Sequence, residues 1–517
     1  MMRILMRALI VFSALLFSYP SPATPRDGVF NVKDFGAVAD GLTNDAPAIN
    51  KAIDACAKAG GGVVLLPAGN FLSGSIVLRS NVTLRISPGA TLAGSRRMED
   101  YVPPHLIFAK GVENVAIDGG GRINGNGDAF WRDRSDHPYF LGLRPRPSPL
   151  IEIVDSREVR IQDLSIRDTP GWGIHALRSD GVVIRGVSLV SHLRGPNTDG
   201  IDIDSSRNVR VADCYIEGGD DAIVLKTPLR PGAPLRPAEN ITITNCVMTS
   251  TSNCFKMGTE SRADFKNIAI TNCVMFKLPN AFRAPISGIA VESVDGGTID
   301  GLVASNITMR DVGTPIFIRL GNRGRGMQEP RPGELQNVSI SNVVATGSLI
   351  TSSVTGLPGY LVRRVSLDNI NISMKGGERT AGSLEVPELA DKYPEAWMFG
   401  VLPAYGLYAR HVESLTLRNV RVRWEAEDAR PAMVFDDARE LYLEGFQTDT
   451  ASGDAPLIRV HNAAAAFIRG ARVPPSAKLF VEVTGAESRE IKISDGFLRG
   501  VKPVAAGPEV TATAIVP

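Results

Sequence analysis

Four aspartates, Asp199, Asp202, Asp220 and Asp221, are spread through the stretch NTDGIDIDSSRNVRVADCYIEGGDDAIVLK at residues 197–226. Carboxylates held close together raise one another's proton affinity, so one stays protonated near neutrality while its neighbours remain charged. Cleavage of a glycosidic bond requires that division, one carboxyl protonating the leaving oxygen and another activating water. Asp199 and Asp220 are close to one short coil apart and Asp221 adjoins Asp220, which predicts three acids on one face. Residue types alone leave two alternatives open: a turn-rich acidic loop, and a Ca2+ site built from Asp199, Asp202 and Asp220. Asp202 lies further into its strand and is assigned to structure.

The elements that must position these acids repeat along the chain. A polar pair followed by alternating Val or Ile recurs as ENVAIDG at Glu113, REVRIQDLSI at Arg157, DGVVIRGVSL at Asp180 and RNVRVADCYI at Arg207. It returns as ENITITNCVM at Glu239, KNIAITNCVM at Lys266, QNVSISNVVA at Gln336, RRVSLDNINI at Arg363, ESLTLRNVRV at Glu413 and RELYLEGFQT at Arg439. Several neighbouring copies lie about 25 to 35 residues apart, the range of solenoid repeats. The period of two marks short strands with one buried face. Coils that bury this face on the next coil give an all-β parallel β-helix. Asn208, Asn240, Asn245, Asn267, Asn272 and Asn337 suit side-chain ladders in the turns. One helix is expected, DAPAINKAIDACAKAGG from Asp45 to Gly61, capped by Asn44 and Asp45 and covering the open end of the solenoid. The repeat breaks at 128–148, 278–287, 321–333 and 376–405, where insertions would wall a groove long enough for an extended polymer.

The chain has 517 residues, 44% of them hydrophobic, and a formal net charge of +1, which gives no electrostatic case for nucleic acid or an anionic membrane surface. Its start, MMRILMRALIVFSALLFSYPSPATP, has Arg3 and Arg7 before a short apolar run and small residues, the pattern of a signal peptide over 1–24. The expected organisation is then an N-terminal cap with first coils over 25–110, a catalytic β-helix over 111–500 and a tail over 501–517. Secretion or a periplasmic location follows, with no membrane attachment after cleavage and one chain acting as a monomer. The five cysteines form an odd set without zinc-type spacing, and Cys214, Cys246 and Cys273 share a frame that predicts an interior ladder of free thiols.

NTDGIDIDSSRNV and GGDDAIVLK resemble the two principal motifs of glycoside hydrolase family 28, the polygalacturonases and their pectin-active relatives. FNVKDFGAVADGLTNDAPAINKAIDAC, GRINGNGDAFW and TPGWGIHALRSDGVVI are also similar to that family, so the resemblance covers roughly residues 28–345. It implies a right-handed parallel β-helix and hydrolysis with inversion, without a metal or other cofactor. It assigns Asp220 as general acid and Asp199 with Asp221 to the water. It also implies that Gly218 and Gly219 let the backbone approach a sugar.

Two departures follow. Where the family has a GHG motif this chain reads SNCFKMGTES, which puts Asn253 at the His position; Asn keeps hydrogen bonding but cannot titrate. Where the family has an RIK element this chain reads GIAVESVDGG, which puts Ala290 at the Arg and Glu292 at the Lys. A carboxylate facing a galacturonate carboxylate is repulsive, so the expected pectic substrate has a neutral sugar there, as in rhamnogalacturonan, or another cation meets its acid. Arg319, Arg323, Arg410 and His411 are candidates for that cation. Lys226 is a candidate partner of Asp221 or of substrate, and Lys256, Glu260 and His175 are candidates for the groove wall. Trp131, Trp172, Tyr393, Trp397 and Tyr405 are candidates for stacking on sugar rings. A β-helix lyase, a uronate epimerase and a non-catalytic carbohydrate-binding solenoid remain as rival functions.

Overall fold

The computed structural model describes residues 28–132, 139–451 and 453–516; the expected signal peptide lies outside them. Strands from Val29 to Val516 join one continuous sheet system whose neighbours pair in parallel, apart from Trp131–Arg132 and Gly142–Leu143, which form a separate antiparallel pair. The repeating phrases are the strands, for example Arg157–Gln162, Asp180–Arg185, Arg207–Ala212 and Ala238–Thr244, each in register with the next. Alternation sends one residue in two inward, where like stacks on like. One row runs Ile161, Ile184, Val211, Ile243, Ile270. A second runs Ile166, Leu189, Ile216, Met248, Met275. All of these are buried, and each stacked aliphatic chain contributes about 1.5–3 kcal/mol of apolar burial.

The turns explain the asparagines. Asn208, Asn240, Asn267, Asn272, Asn306, Asn342 and Asn369 all take left-handed backbone conformations, which Asn tolerates better than other non-Gly residues. All but Asn272 hand an amide hydrogen bond to the coil before them, among them Asn240 to Asn208 at 3.1 Å, Asn267 to Asn240 at 2.9 Å, and Asn369 to Asn342 at 2.8 Å. Cys214, Cys246 and Cys273 stack in the same way, free and buried.

The expected helix spans Ala46–Lys58 and buries Ile49, Ala52, Ile53 and Cys56 against the first coil. Its cap differs in detail. Asn44 accepts from the Ala46 N–H at 3.1 Å, whereas Asp45 turns back to the N–H groups of Val38 and Ala39. At the far end, Lys502–Ala506 and Ile515–Val516 still pair with the coil before them, so the segment expected as a tail adds a last partial coil. Among the described residues no helix is long and apolar enough to cross a membrane.

A second, smaller core lies outside the solenoid. Ile286, Ala290, Phe317, Tyr408 and Val434 point outward from their strands and pack against Val386, Ala396, Phe399, Leu402 and Ala404. The 376–405 insertion is thus fixed to the solenoid's outer face by its own apolar side chains.

Candidate active site

The outward positions of one strand column supply most of the site. In register from coil to coil stand Glu152, His175, Asp202, Val224, Lys256 and Ala290. Asp199 lies just before the strand Ile201–Asp204, and Asp221 just before Ile223–Thr227, so parallel pairing sets them one above the other. One carboxylate oxygen each of Asp199, Asp220 and Asp221 lies within 4.8 Å of the others. Asp199 and Asp221 are buried and Asp220 is half-buried, the one of the three that reaches solvent.

Two lysines hold the acids. Lys226 Nζ lies 2.6 Å from Asp202 and 3.3 Å from Asp199, and sits 3.9 Å over the Trp172 ring. Its partners are therefore Asp199 and Asp202 rather than Asp221, because parallel register places Lys226 beside the preceding coil. Lys256 Nζ, almost wholly buried, lies 3.5 Å from Asp221, 3.5 Å from Glu395 and 3.8 Å from Glu292. Asn253 donates to Asp221 Oδ1 through its side chain at 2.9 Å and its backbone at 3.1 Å.

The protonation pattern follows from this wiring. Asp199, Asp202, Asp220, Asp221, Glu292 and Glu395 share their surroundings with two ammonium groups, so not all six can be ionised together. Burial raises Asp221, but Lys256 and the Asn253 hydrogen bond outweigh it and hold the carboxyl below the usual range. Burial and the neighbouring Asp221 charge push Asp220 up to about 6. Burial, then the charge of Asp220, pushes Asp199 well above the ordinary value. Burial takes Glu395 up to about 7 against the pull of Lys256. A neutral carboxyl thus stands beside an ionised one near pH 6.

The remaining sequence candidates divide. Glu260 borders the site and pairs with Arg325 at 2.8 Å. Glu292 is wholly buried beneath Lys256 and the 376–405 insertion, and Ala290 is covered by the same insertion, so neither faces the open groove. Arg319 is buried and donates to the Gly356 carbonyl at 3.1 Å and to the Glu388 carbonyl. Arg410 pairs with Glu388 and Asp436, and His411 lies between Asp437 at 2.7 Å and Glu388 at 3.1 Å. These three anchor the insertion. Arg323 pairs with Asp295. Gly218 and Gly219 are needed for packing: a Cβ on either would lie 2.6 Å from the Thr198 or Gly195 carbonyl oxygen. Of the aromatic candidates, Trp131 and Tyr405 are buried, Trp172 carries Lys226, and Tyr393 and Trp397 are exposed.

Sequence reasoning passed over Glu395, Arg283 and Arg146. Arg146 donates to Pro196 O at 2.7 Å and Asn197 Oδ1 at 3.1 Å, and Asn197 reaches Asp220 Oδ2 at 3.4 Å. All three missed residues stand on insertions, where no strand period signals direction.

His175 lies below this layer. Its Nδ1 is 2.7 Å from Glu152 and its Nε2 3.4 Å from Asp204, which also pairs with Arg230. Burial lowers its pKa, but the two carboxylates outweigh that and raise it to about 9. The raised value means that the stabilisation is complete below the unfolded pKa of about 6.5 and is lost as pH rises through about 9. His175→Leu is expected to cost about 3–5 kcal/mol at pH 6 by leaving buried Glu152 unpaired and taking one of its partners from Asp204. Urea midpoints at pH 6 and pH 9.5 check this, with a smaller gap from the native protein at the higher pH.

The sequence pattern that defines Glycosyl hydrolases family 28 matches residues 56–390. The chain belongs to that family. A probable polygalacturonase of Vitis vinifera is 33% identical over 216 residues, 38% of this chain and 43% of its own. A polygalacturonase of Persea americana is 26% identical over 382 residues, 70% of this chain and 78% of its own. The chain thus spans under half the length of the grape relative. An exopolygalacturonase structure from Thermotoga maritima superposes with a TM-score of 0.60 at 22% identity, covering 77% of this chain and 92% of that one. A polygalacturonase structure from Erwinia carotovora superposes at 0.51 and 20% identity, covering 69% and 95%. These structural likenesses establish the fold of this family 28 chain, a right-handed parallel β-helix. Tyr393, Glu395 and Trp397 lie just past the matched residues.

Proposed function

We propose that this family 28 chain is an exported glycoside hydrolase that cleaves pectic polysaccharide with inversion. The observation that carries the reading is the convergence of Asp199, Asp220 and Asp221, with Asp220 alone open to the groove. Asp220, neutral below about pH 6, gives its proton to the leaving oxygen. Asp221, held ionised by Lys256 and Asn253, takes a proton from the attacking water. Asp199 orients that water through Oδ1, which has no hydrogen-bond donor among the described residues. The likeness to polygalacturonases supports a pectic substrate.

The finer reading is cleavage within rhamnogalacturonan, where a neutral sugar alternates with a uronate. Ala290 and Glu292, which stand in the sequence where the family has its Arg and Lys, are buried and supply no exposed cation beside the acids, and this supports the choice. A lyase would need a Lys or Arg free to act as base. Lys226 and Lys256 do not suit that role: burial lowers them, but Asp202 and Asp199 in one case and Asp221 and Glu292 in the other raise them well above the ordinary value.

Digestion of a pectic fragment panel, with and without EDTA, tests the reading. Reducing ends are expected from rhamnogalacturonan fragments at a rate at least about tenfold above that on de-esterified polygalacturonate, unaffected by EDTA and without an ultraviolet-absorbing product. Proton NMR is expected to show the first-formed reducing end in the inverted configuration. Fast release of galacturonate from polygalacturonate would sink the rhamnogalacturonan assignment, and an unsaturated product would sink hydrolysis.

A further inference from the structure

The surroundings of Asp220 are rich in carboxylates, yet a pectic chain is itself acidic. Almost every nearby cation is already engaged. Lys226 and Lys256 hold the acids, Arg319 and Arg410 anchor the 376–405 insertion, Arg323 pairs with Asp295 and Arg325 with Glu260. Arg146 is bound to Pro196 and Asn197, and Arg194 donates to the Tyr139 carbonyl at 3.1 Å.

Arg283 differs. It stands on the 278–287 insertion, half-buried, with no carboxylate in ion-pair range among the described residues, and its Nε is buried without a hydrogen-bond partner. Aromatic rings hold it instead: the guanidinium carbon is 4.7 Å from the Tyr139 ring centre, 5.5 Å from Phe140, 5.7 Å from Phe282 and 5.8 Å from Trp397. Tyr139 and Phe282 are stacked at 6.0 Å, and Tyr139, Phe282 and Trp397 each keep over 40% of their surface exposed. Arg283 lies within electrostatic reach of Asp220, Glu395 and Asp221.

We propose that Arg283 and its aromatic frame form a subsite for the carboxylate of a uronate sugar on the Asp220 side of the groove. A guanidinium fixed by ring faces presents its N–H fork in one orientation, which suits bidentate pairing with a planar carboxylate. Trp397, exposed beside it, offers stacking surface to the C–H face of the same sugar. The proposal rests on the pectic reading and adds to it: Arg283 takes the acidic sugar of the fragment.

Calorimetry on the full chain carrying Asp220→Asn, which prevents turnover, measures the subsite directly. The ligands are a rhamnogalacturonan tetrasaccharide and its carboxyl-reduced counterpart. Adding Arg283→Gln is expected to weaken the acidic ligand by about 10–100-fold and the reduced one by less than about twofold. Arg283→Lys, a point charge without the fork, is expected to recover only part of the loss. Equal weakening of both ligands, no weakening, or failure of the parent protein to bind the acidic ligand would each overturn the subsite. The hydrolase reading stands apart from this. If the protein without substitutions releases no reducing ends from the panel while Arg283-dependent binding persists, the hydrolase reading fails and the subsite stands.

Discussion

Asp220→Asn is expected to lower kcat by about 100- to 10,000-fold, with substrate binding largely kept. The amide preserves the shape of the side chain and its place beside Asn197, but has no proton acidic enough for a departing sugar oxygen. Because the lost interaction belongs to the transition state, kcat and kcat/KM should fall together. The pH dependence gives the sign. On the proposed mechanism the native enzyme needs Asp220 protonated and Asp221 ionised, so activity is expected to fall as pH rises through about 6 and again as pH drops through the depressed value of Asp221. Initial rates from pH 3 to 8 should trace an acidic optimum. In Asp220→Asn the limb near pH 6 should vanish from whatever activity remains. Full activity in the variant would remove Asp220 from the mechanism.

Lys256→Met should damage both stability and chemistry. Lys256 is almost wholly buried and faces Asp221, Glu292 and Glu395, so its loss leaves three buried carboxyls without their shared cation. Removing one partner of such a cluster costs about 3–5 kcal/mol, and part of that returns if the carboxyls take up protons. Asp221 loses its main stabilising charge, so its pKa rises and the acid limb of the rate profile moves to higher pH. Urea unfolding at pH 5 and pH 8 separates the terms: the deficit should be larger at pH 8, where the carboxyls resist protonation. A variant that unfolds normally and keeps the native acid limb would show that Lys256 does not hold Asp221 ionised.

The coils and their acids could be read from the chain because a period of two determines which residues point inward. Register did the rest for Asp199 and Asp221, which neighbouring strands bring together. The same period failed for Arg319 and Arg410. It places them on the outward face correctly, but outward is not the same as open, and the 376–405 insertion covers that face. Glu292 was misjudged for the same reason. His411, next to Arg410, sits at a left-handed turn where the period lapses. The Lys226 partner was missed by one coil, since sequence proximity to Asp221 says less than pairing with Ile201–Asp204. Glu395, Arg283 and Arg146 carried no signal, being on insertions whose paths depend on tertiary packing.

The insertion anchored by Arg319, Arg410 and His411 has an evolutionary consequence. The proposed reactive carboxyls belong to consecutive coils, where each position is constrained by the rungs above and below. Tyr393, Glu395 and Trp397 come from a segment joined to the solenoid through a separate apolar patch and a few charged clasps. Its exposed positions, such as Tyr393 and Trp397, can be remodelled without disturbing a rung, whereas Glu395, in contact with Lys256, cannot. What lies over the proposed reactive acids can therefore vary at those exposed positions while the rungs that carry Asp199, Asp220 and Asp221 keep their register.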